Sequence, residues 1–448
     1  MDRDKFLTKY AEGQRNFSNI DVTYARLTTA ESNYNLSWSV FSGRPNFSKL
    51  DLSHATLSGI ILVLVNLNTA NLSNTDLSDA DLRGSGLSKA NLSGANLTGA
   101  NLITAYLYGA NLSGANLTNA DLQSANLQQC NLSNANLQDA NLQGTNLEAA
   151  ILQGANLSGT KLEGADLRCV NLRGWNLQRF NLDSAKLNGS NLSETNLSEA
   201  DLRATHLTVA NLNYGNLSGA NLMYAQCDRT SMIQANLSNA DLTRARLNQA
   251  NLSRANLSGA NLSKADLGRS GYGYDPNGAN LILADLSTAN LSEANLTQAN
   301  LALVNLKGAN LSKATLTFTN LAGADLTGAV LSEAEISSAN VRGTKLDQAT
   351  APEKWRLVWQ IVNHGVIGQD LSGADLSGTD LSGTDLSNVN LTSANLSNTN
   401  LSRANLSRAN LAHANLSHAK LYETNFTDAN LEEVDFTNAR PLPRRVAE

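Results

Sequence analysis

Over most of this chain a leucine recurs every fifth residue, as in Ala90-Asn91-Leu92-Ser93-Gly94 followed by Ala95-Asn96-Leu97-Thr98-Gly99. Neither straight form of regular secondary structure accommodates that period. In an α-helix successive leucines would turn by about 140° and scatter around the axis. In a flat strand side chains alternate with period two, so leucines five apart would point to opposite faces. Both conflicts vanish if the chain turns a corner once per unit, so that each unit is one short side of a coil and each Leu points inward. The Ala two residues before each Leu is small enough to share that interior. Gly94, Gly99, Gly109 and Gly114, with Asn91, Asn96, Asn101 and Asn111, supply residue types that tolerate corner conformations. Stacked coils then pair backbone to backbone at about 4.8 Å, and the chain is expected to be a β-solenoid.

The A-(D/N)-L-x-x unit resembles the pentapeptide-repeat family. The segment Lys354-Trp355-Arg356-Leu357-Val358-Trp359 beside such units is similar to cyanobacterial members. The resemblance implies an all-β fold: a right-handed quadrilateral β-helix with four units per coil, a short N-terminal capping helix and one inserted helix. Charge pairing leaves the number of units per coil open. Arg403 with Glu423 and Arg408 with Asp428 match at a 20-residue offset, but Arg408 with Glu423 and His413 with Asp428 match at 15.

Phase changes divide the chain. Phe6, Leu7, Tyr10 and Ala11 form a helical stripe ending at Gly13, which predicts a capping helix over 1–15 for the otherwise unpaired first coil. Central positions Phe17, Val22 and Leu27 slip by one to Leu36 and Phe41 and recover at Phe47, so the solenoid over 16–267 begins irregularly. The Gly-rich stretch 268–279 is expected to loop out, and units resume over 280–349. Within 350–369, Thr350-Ala351-Pro352-Glu353 has the form of a capping box and Gly365 supplies a stop, predicting a Trp-rich amphipathic helix. Its apolar arc of about 200° carries Trp355, Leu357, Val358, Trp359, Ile361 and Val362, with Glu353, Arg356, Gln360 and Asn363 opposite. The third solenoid stretch is 370–440. Pro441 stops strand pairing, and 441–448 reads as a disordered tail. Spacing alone does not say whether the solenoid is continuous across 347–370.

Lys and Arg total 33 against 39 Asp and Glu, a net charge of −6. Such a balance argues against a surface built to grip nucleic acid or anionic membrane. The N-terminal residues have no apolar stretch of signal-peptide length, and the longest apolar run, Ile60 to Val65, falls far short of the roughly 18 residues of a membrane span. Cys130, Cys169 and Cys227 lack disulfide or zinc spacing. A cytoplasmic location is the expectation.

Candidate partner-binding residues are Trp355 and Trp359, as interface anchors, and Tyr272 and Tyr274 in the Gly-rich loop. The competing reading of the two tryptophans is packing of the helix onto the coils. Trp175 and Phe180 occupy inward sites that elsewhere hold Ala, so a ligand cavity or a local bulge is expected there. Cys130 and Cys227 read as buried hydrophobes and Cys169 as outward-facing; His413 and His418 lie on neighbouring sides of a coil. No nucleophile, base and acid set, metal motif or paired carboxylates can be assembled, so no catalytic residue, cofactor or metal is expected and the chain does not read as an enzyme. Two function classes follow. The first is a non-enzymatic scaffold or protein-interaction rod of unknown partner, with a homodimer through the uncapped C-terminal end as one option. The second is a DNA mimic that binds DNA gyrase or another DNA-binding protein, as some members of the resembled family do. Residues 51–150 carry an acidic excess, but Asn91 to Ala120 holds no charged residue. Ice binding is a weaker third reading, because Ile103, Tyr108, Gln123 and Gln128 interrupt the outward hydroxyls.

Overall fold

The computed structural model describes residues 3–21, 46–268 and 277–442. They form two compact units, Met1–Leu212 and Asn213–Glu448. Both are built from the same five-residue element. In the unit Asn91 to Ala95, Asn91 bridges to its neighbouring coils and Leu92 points inward. Ser93 and Gly94 form a turn that the Ala95 N–H closes onto the Leu92 carbonyl at 3.0 Å. The fourth residue of each unit carries the positive φ (66° at Gly94, 59° at Gln129), as the third position of a type II turn requires. Asn therefore does a different job from the one its turn propensity suggests. It sits at the bridge, where its side-chain oxygen accepts the N–H two residues on, as Asn91 does from Ser93 at 3.2 Å.

Bridges are parallel and join residues 20 apart, such as Asn71 with Asn91 and Asn91 with Asn111. Four five-residue units thus separate each residue from the one stacked on it. Each unit pairs through a single residue, so the described residues contain bridges rather than extended strands. Side chains add a second ladder: Asn96 donates to Asp76 at 2.9 Å and Asn156 to Asn136 at 2.9 Å. Leu and Ala fill the interior, and nearly all are buried. Where Thr replaces the inward Ala, its hydroxyl finds a carbonyl, as Thr75 does on Leu52 at 2.8 Å, which removes the cost of an unpaired buried hydroxyl.

In the first unit α1 (Arg3–Ala11) covers the first coil. Phe6 is buried, its ring 4.6 Å from that of Phe17 and 5.6 Å from that of Phe47, and the Tyr10 hydroxyl donates to the Asn46 carbonyl. Leu7 and Tyr10 are half-buried and Ala11 is exposed, so the predicted stripe narrows to the Phe6 ring and the Tyr10 ring, which meets that of Phe47 edge-on at 5.1 Å. Val22, Leu27, Leu36 and Phe41 lie outside the described residues.

The same unit contains a breach. Between the coil 151–165 and the coil 171–185 the bridges of Ile151 to Asn171, Asn156 to Asn176 and Lys161 to Asn181 are missing, and only the side joining Asp166 to Lys186 stays bridged. The amides of Leu152, Leu157 and Leu162 make no backbone bond across the gap, nor do those of Asn171, Asn176 and Asn181. Trp175 and Phe180 explain it. Their rings stand on two consecutive sides at positions sized for Ala, and overfilling a packed layer forces its neighbours apart. The upper face of the same coil is intact, with Asn196 donating to the Trp175 carbonyl at 2.8 Å and Asp201 to that of Phe180 at 2.9 Å.

In the second unit Asn251 bridges Asn280 and Asp266 bridges Asn295, an offset of 29. The chain therefore carries nine residues beyond the usual 20 between these partners without loss of register. Tyr272 and Tyr274 lie outside the described residues.

Candidate functional site

The second helix, α2 (Glu353–His364), is set between coils. On one edge the coils before and after it touch directly: Ser338 donates its N–H to the Gly378 carbonyl at 2.7 Å, and the Arg342 guanidinium reaches the Ser382 carbonyl. Elsewhere α2 fills the space, so the chain packs across 347–370. Pro352 occupies the N-cap position with no side-chain cap bond. The capping box expected from Thr350 does not form, because Thr350 is held in the coil as the bridge partner of Val330. Gly365 ends the helix at φ 75°, its N–H on the Gln360 carbonyl.

Trp355, Val358 and Ile361 are the buried face of α2, narrower than the predicted arc. Its polar groups complete the edge of the coil beneath. Asn363 accepts the Gly343 N–H at 2.6 Å and donates to the Val341 carbonyl at 3.1 Å. The Trp359 indole N–H donates to the Thr344 carbonyl at 2.9 Å. Toward the following coil Lys354 donates to Asp375 at 3.0 Å and to Ser377 at 3.0 Å. Partial burial opposes ionisation of Asp375, but the Ser377 and Lys354 hydrogen bonds outweigh it and hold the carboxyl below its ordinary range.

Beside α2 lies an open groove of about 610 Å³, walled by Arg356, Trp359, Gln360 and His364 of the helix and by 346–349 of the coil. The His364 ring meets that of Trp359 edge-on at 4.6 Å. Arg356 spends one N–H on the Ala349 carbonyl at 3.2 Å, leaving further donors of its five-donor fork. Asp347 lines the coil wall of the same groove. A half-buried aromatic flanked by a guanidinium and an imidazole can accept an apolar side chain and hydrogen-bond to carboxylates or carbonyls around it.

The predicted residues therefore separate. Trp355 is 1% exposed and lies inside the unit; Trp359 is half-buried and forms the groove wall. Sequence reasoning placed Arg356, Gln360 and Asn363 on the helix's polar side without assigning them a role. Nothing in the pattern marks Asn363, whose function depends on where the helix lands.

Other candidates are set apart from the groove. Cys130 is buried and donates to the Leu107 carbonyl at 2.8 Å, and burial pushes its thiol up to about 12. Burial likewise raises Cys227, while Cys169 is exposed. His413 contacts Glu433 at 3.0 Å. Among the described residues no group of three or more His, Cys, Asp or Glu is placed to hold a metal ion, and no helix is long and apolar enough to cross a membrane.

The sequence profile for pentapeptide repeats matches the chain in successive stretches from 46–84 to 404–440, interrupted at 124–129, 271–276 and 349–369. No curated protein matches. Among solved structures the chain is similar to HetL, a pentapeptide repeat protein involved in heterocyst differentiation regulation from the cyanobacterium Nostoc sp. strain PCC 7120. The identity is 28% over 77% of this chain and 98% of that one, with a TM-score of 0.20. It is also similar to QnrB1, a plasmid-mediated fluoroquinolone resistance protein, at 18% identity over 44% of this chain and 97% of that one, TM-score 0.25. A pentapeptide repeat protein from the Arabidopsis thaliana thylakoid lumen is 34% identical over 24% of this chain and 68% of that one, TM-score 0.14.

Proposed function

Because the chain belongs to the pentapeptide-repeat family, we propose that it is a non-enzymatic protein-interaction scaffold whose partner docks in the groove beside α2. We read its coils as a right-handed, four-sided β-helix divided as the phase changes indicate, working in the cytoplasm without a cofactor. The observation that carries the reading is the groove itself. There a helix, an exposed guanidinium and an aromatic wall interrupt the repetitive surface of the coils, and aromatic and Arg side chains dominate interface energetics. The acidic excess over 51–150 supports the DNA-mimic alternative weakly, since the uncharged stretch from Asn91 to Ala120 breaks any continuous negative track.

A pull-down from source lysate, comparing the wild type with Arg356→Glu/Gln360→Lys, tests the reading. Both side chains are exposed, and of the helix contacts the variant gives up only the Arg356 bond to the Ala349 carbonyl. A protein recovered by the wild type and lost with the variant is expected. Identical recoveries would place any binding elsewhere.

A second reading, a homodimer through the last described coil, is favoured by Leu431, Val434 and Phe436. They are half-exposed, whereas Leu411, Ala414 and Leu416, 20 residues earlier, are buried. Light scattering tests it: a mass equal to one chain at all concentrations counts against the dimer.

A further inference from the structure

The breach at Trp175 and Phe180 is more than a packing defect, because of what it leaves open. Along the lower lip the Leu157 N–H and the Ala155 carbonyl have lost the partners that stacked coils supply elsewhere, and the Asn176 N–H is open on the upper lip. Between the lips runs a groove of about 350 Å³ that exposes part of both aromatic rings. Backbone polar groups without partners, placed beside apolar rings, define a chemistry. The lip needs alternating acceptors and donors at the spacing of a main chain, and the rings need an apolar side chain. An ion or a small planar molecule meets one demand and not the other. An extended peptide meets both, as in recognition by strand addition.

We propose that the opening between the coils 151–165 and 171–185 is a strand-acceptor site. It takes one extended peptide segment of a partner protein, with main chain paired to Leu157 and Ala155 and an apolar side chain against Trp175 and Phe180. The surviving bridge from Asp166 to Lys186 holds the fourth side and fixes the spacing of the lips. The site is separate from the groove beside α2, and neither reading depends on the other.

The probe is a synthetic peptide of sequence Ala-Asn-Leu-Ser-Gly-Ala-Asn-Leu-Thr-Gly, that of residues 90–99, whose main chain pairs in the regular coils. Hydrogen exchange of the full chain is followed by mass spectrometry with and without it at millimolar concentration. The expected result is roughly tenfold slower exchange over 150–164, with no change over 91–140. A peptide N-methylated at alternate amides should give no protection. In Trp175→Ala/Phe180→Ala the lips should close, slowing exchange without peptide and abolishing its effect. No protection by the first peptide, or equal protection by the N-methylated one, would overturn the proposal, and so would peptide protection that persists in a folded double variant. Should that variant fail to fold, the comparison of the two peptides decides alone.

Discussion

The side-chain carbonyl of Asn363 accepts the Gly343 N–H at 2.6 Å, so a helix side chain fills a place that coil backbone fills elsewhere. One coil earlier the Gly323 N–H donates to the Arg342 carbonyl at 2.8 Å. The Asn363 amide returns a second bond to Val341 at 3.1 Å, which completes the imitation of a peptide group. Asn363→Ala removes both, together with the amide's bond to the Trp359 carbonyl at 3.0 Å, and should cost about 2–3 kcal/mol, the worth of three ordinary hydrogen bonds. Amide exchange at Gly343 should quicken while that at Gly323 stays slow, and an unchanged rate at Gly343 would show that the contact contributes nothing.

Deleting Trp175 and Phe180 together should behave unlike an ordinary core truncation. Phe or Trp to Ala in a packed interior costs about 3–5 kcal/mol. Here the backbone bonds across the breach re-form once the rings are gone, and Ala is the residue that regular coils place at these sites. The double variant is expected to lose well under the sum of two such costs in a urea titration. A loss of the full sum would mean that the lips stay apart for another reason.

Acid should weaken the remaining hinge of that breach. Desolvation opposes ionisation of Asp166, but the Arg168 hydrogen bonds and the charges of Arg168 and Lys186 outweigh it and hold the carboxyl below its usual range. A carboxyl lowered in the folded state stabilises above its unfolded value of about 3.9, and that contribution fades as the pH falls through the lower folded value. Asp166→Asn should therefore be less stable than the wild type at pH 7, with the difference shrinking below about pH 4. A difference that is constant with pH would remove the ionised pair from the account.

Thiol chemistry should separate the three cysteines. Burial raises Cys130 to about 12 and raises Cys227 also, whereas Cys169 is exposed. Because the thiolate is the reactive form, a native-state thiol titration is expected to modify Cys169 alone, and denaturant should release the other two. Rapid native labelling of Cys130 would contradict its placement.

Val209 offers a stabilising change. It is 59% exposed and sits at φ 62°, a region that β-branched residues disfavour. Val209→Asn should gain about 1 kcal/mol, because Asn has no β-branch and its short polar side chain hydrogen-bonds locally in the left-handed region, read as a raised urea midpoint. A lowered midpoint would show that the exposed side chain is packed in solution.

The interior was legible because Leu and Ala report their own burial: their five-residue period leaves few folds that hide them all. The number of units per coil was not, because outward charges pair at 20 and at 15 equally well on paper. Backbone bridges settle the 20-residue offset, and Arg403 then meets Glu423 at 2.8 Å. Trp175 and Phe180 stood out as misfits, yet their effect is a property of two coils 20 residues apart. The same holds for Asn363 and for Thr350, whose capping pattern is real but whose backbone is already committed to Val330.

Amide exchange across the breach tests the central structural claim most directly. Leu137 donates to Asn156 at 2.8 Å and Leu177 to Asn196 at 2.7 Å, whereas Leu157, midway between them, has no backbone acceptor across the gap. Site-resolved exchange on the full chain should find Leu157 and Asn176 fast between slow Leu137 and Leu177. Uniform protection across all four would contradict an opened ladder and remove the strand-acceptor site with it.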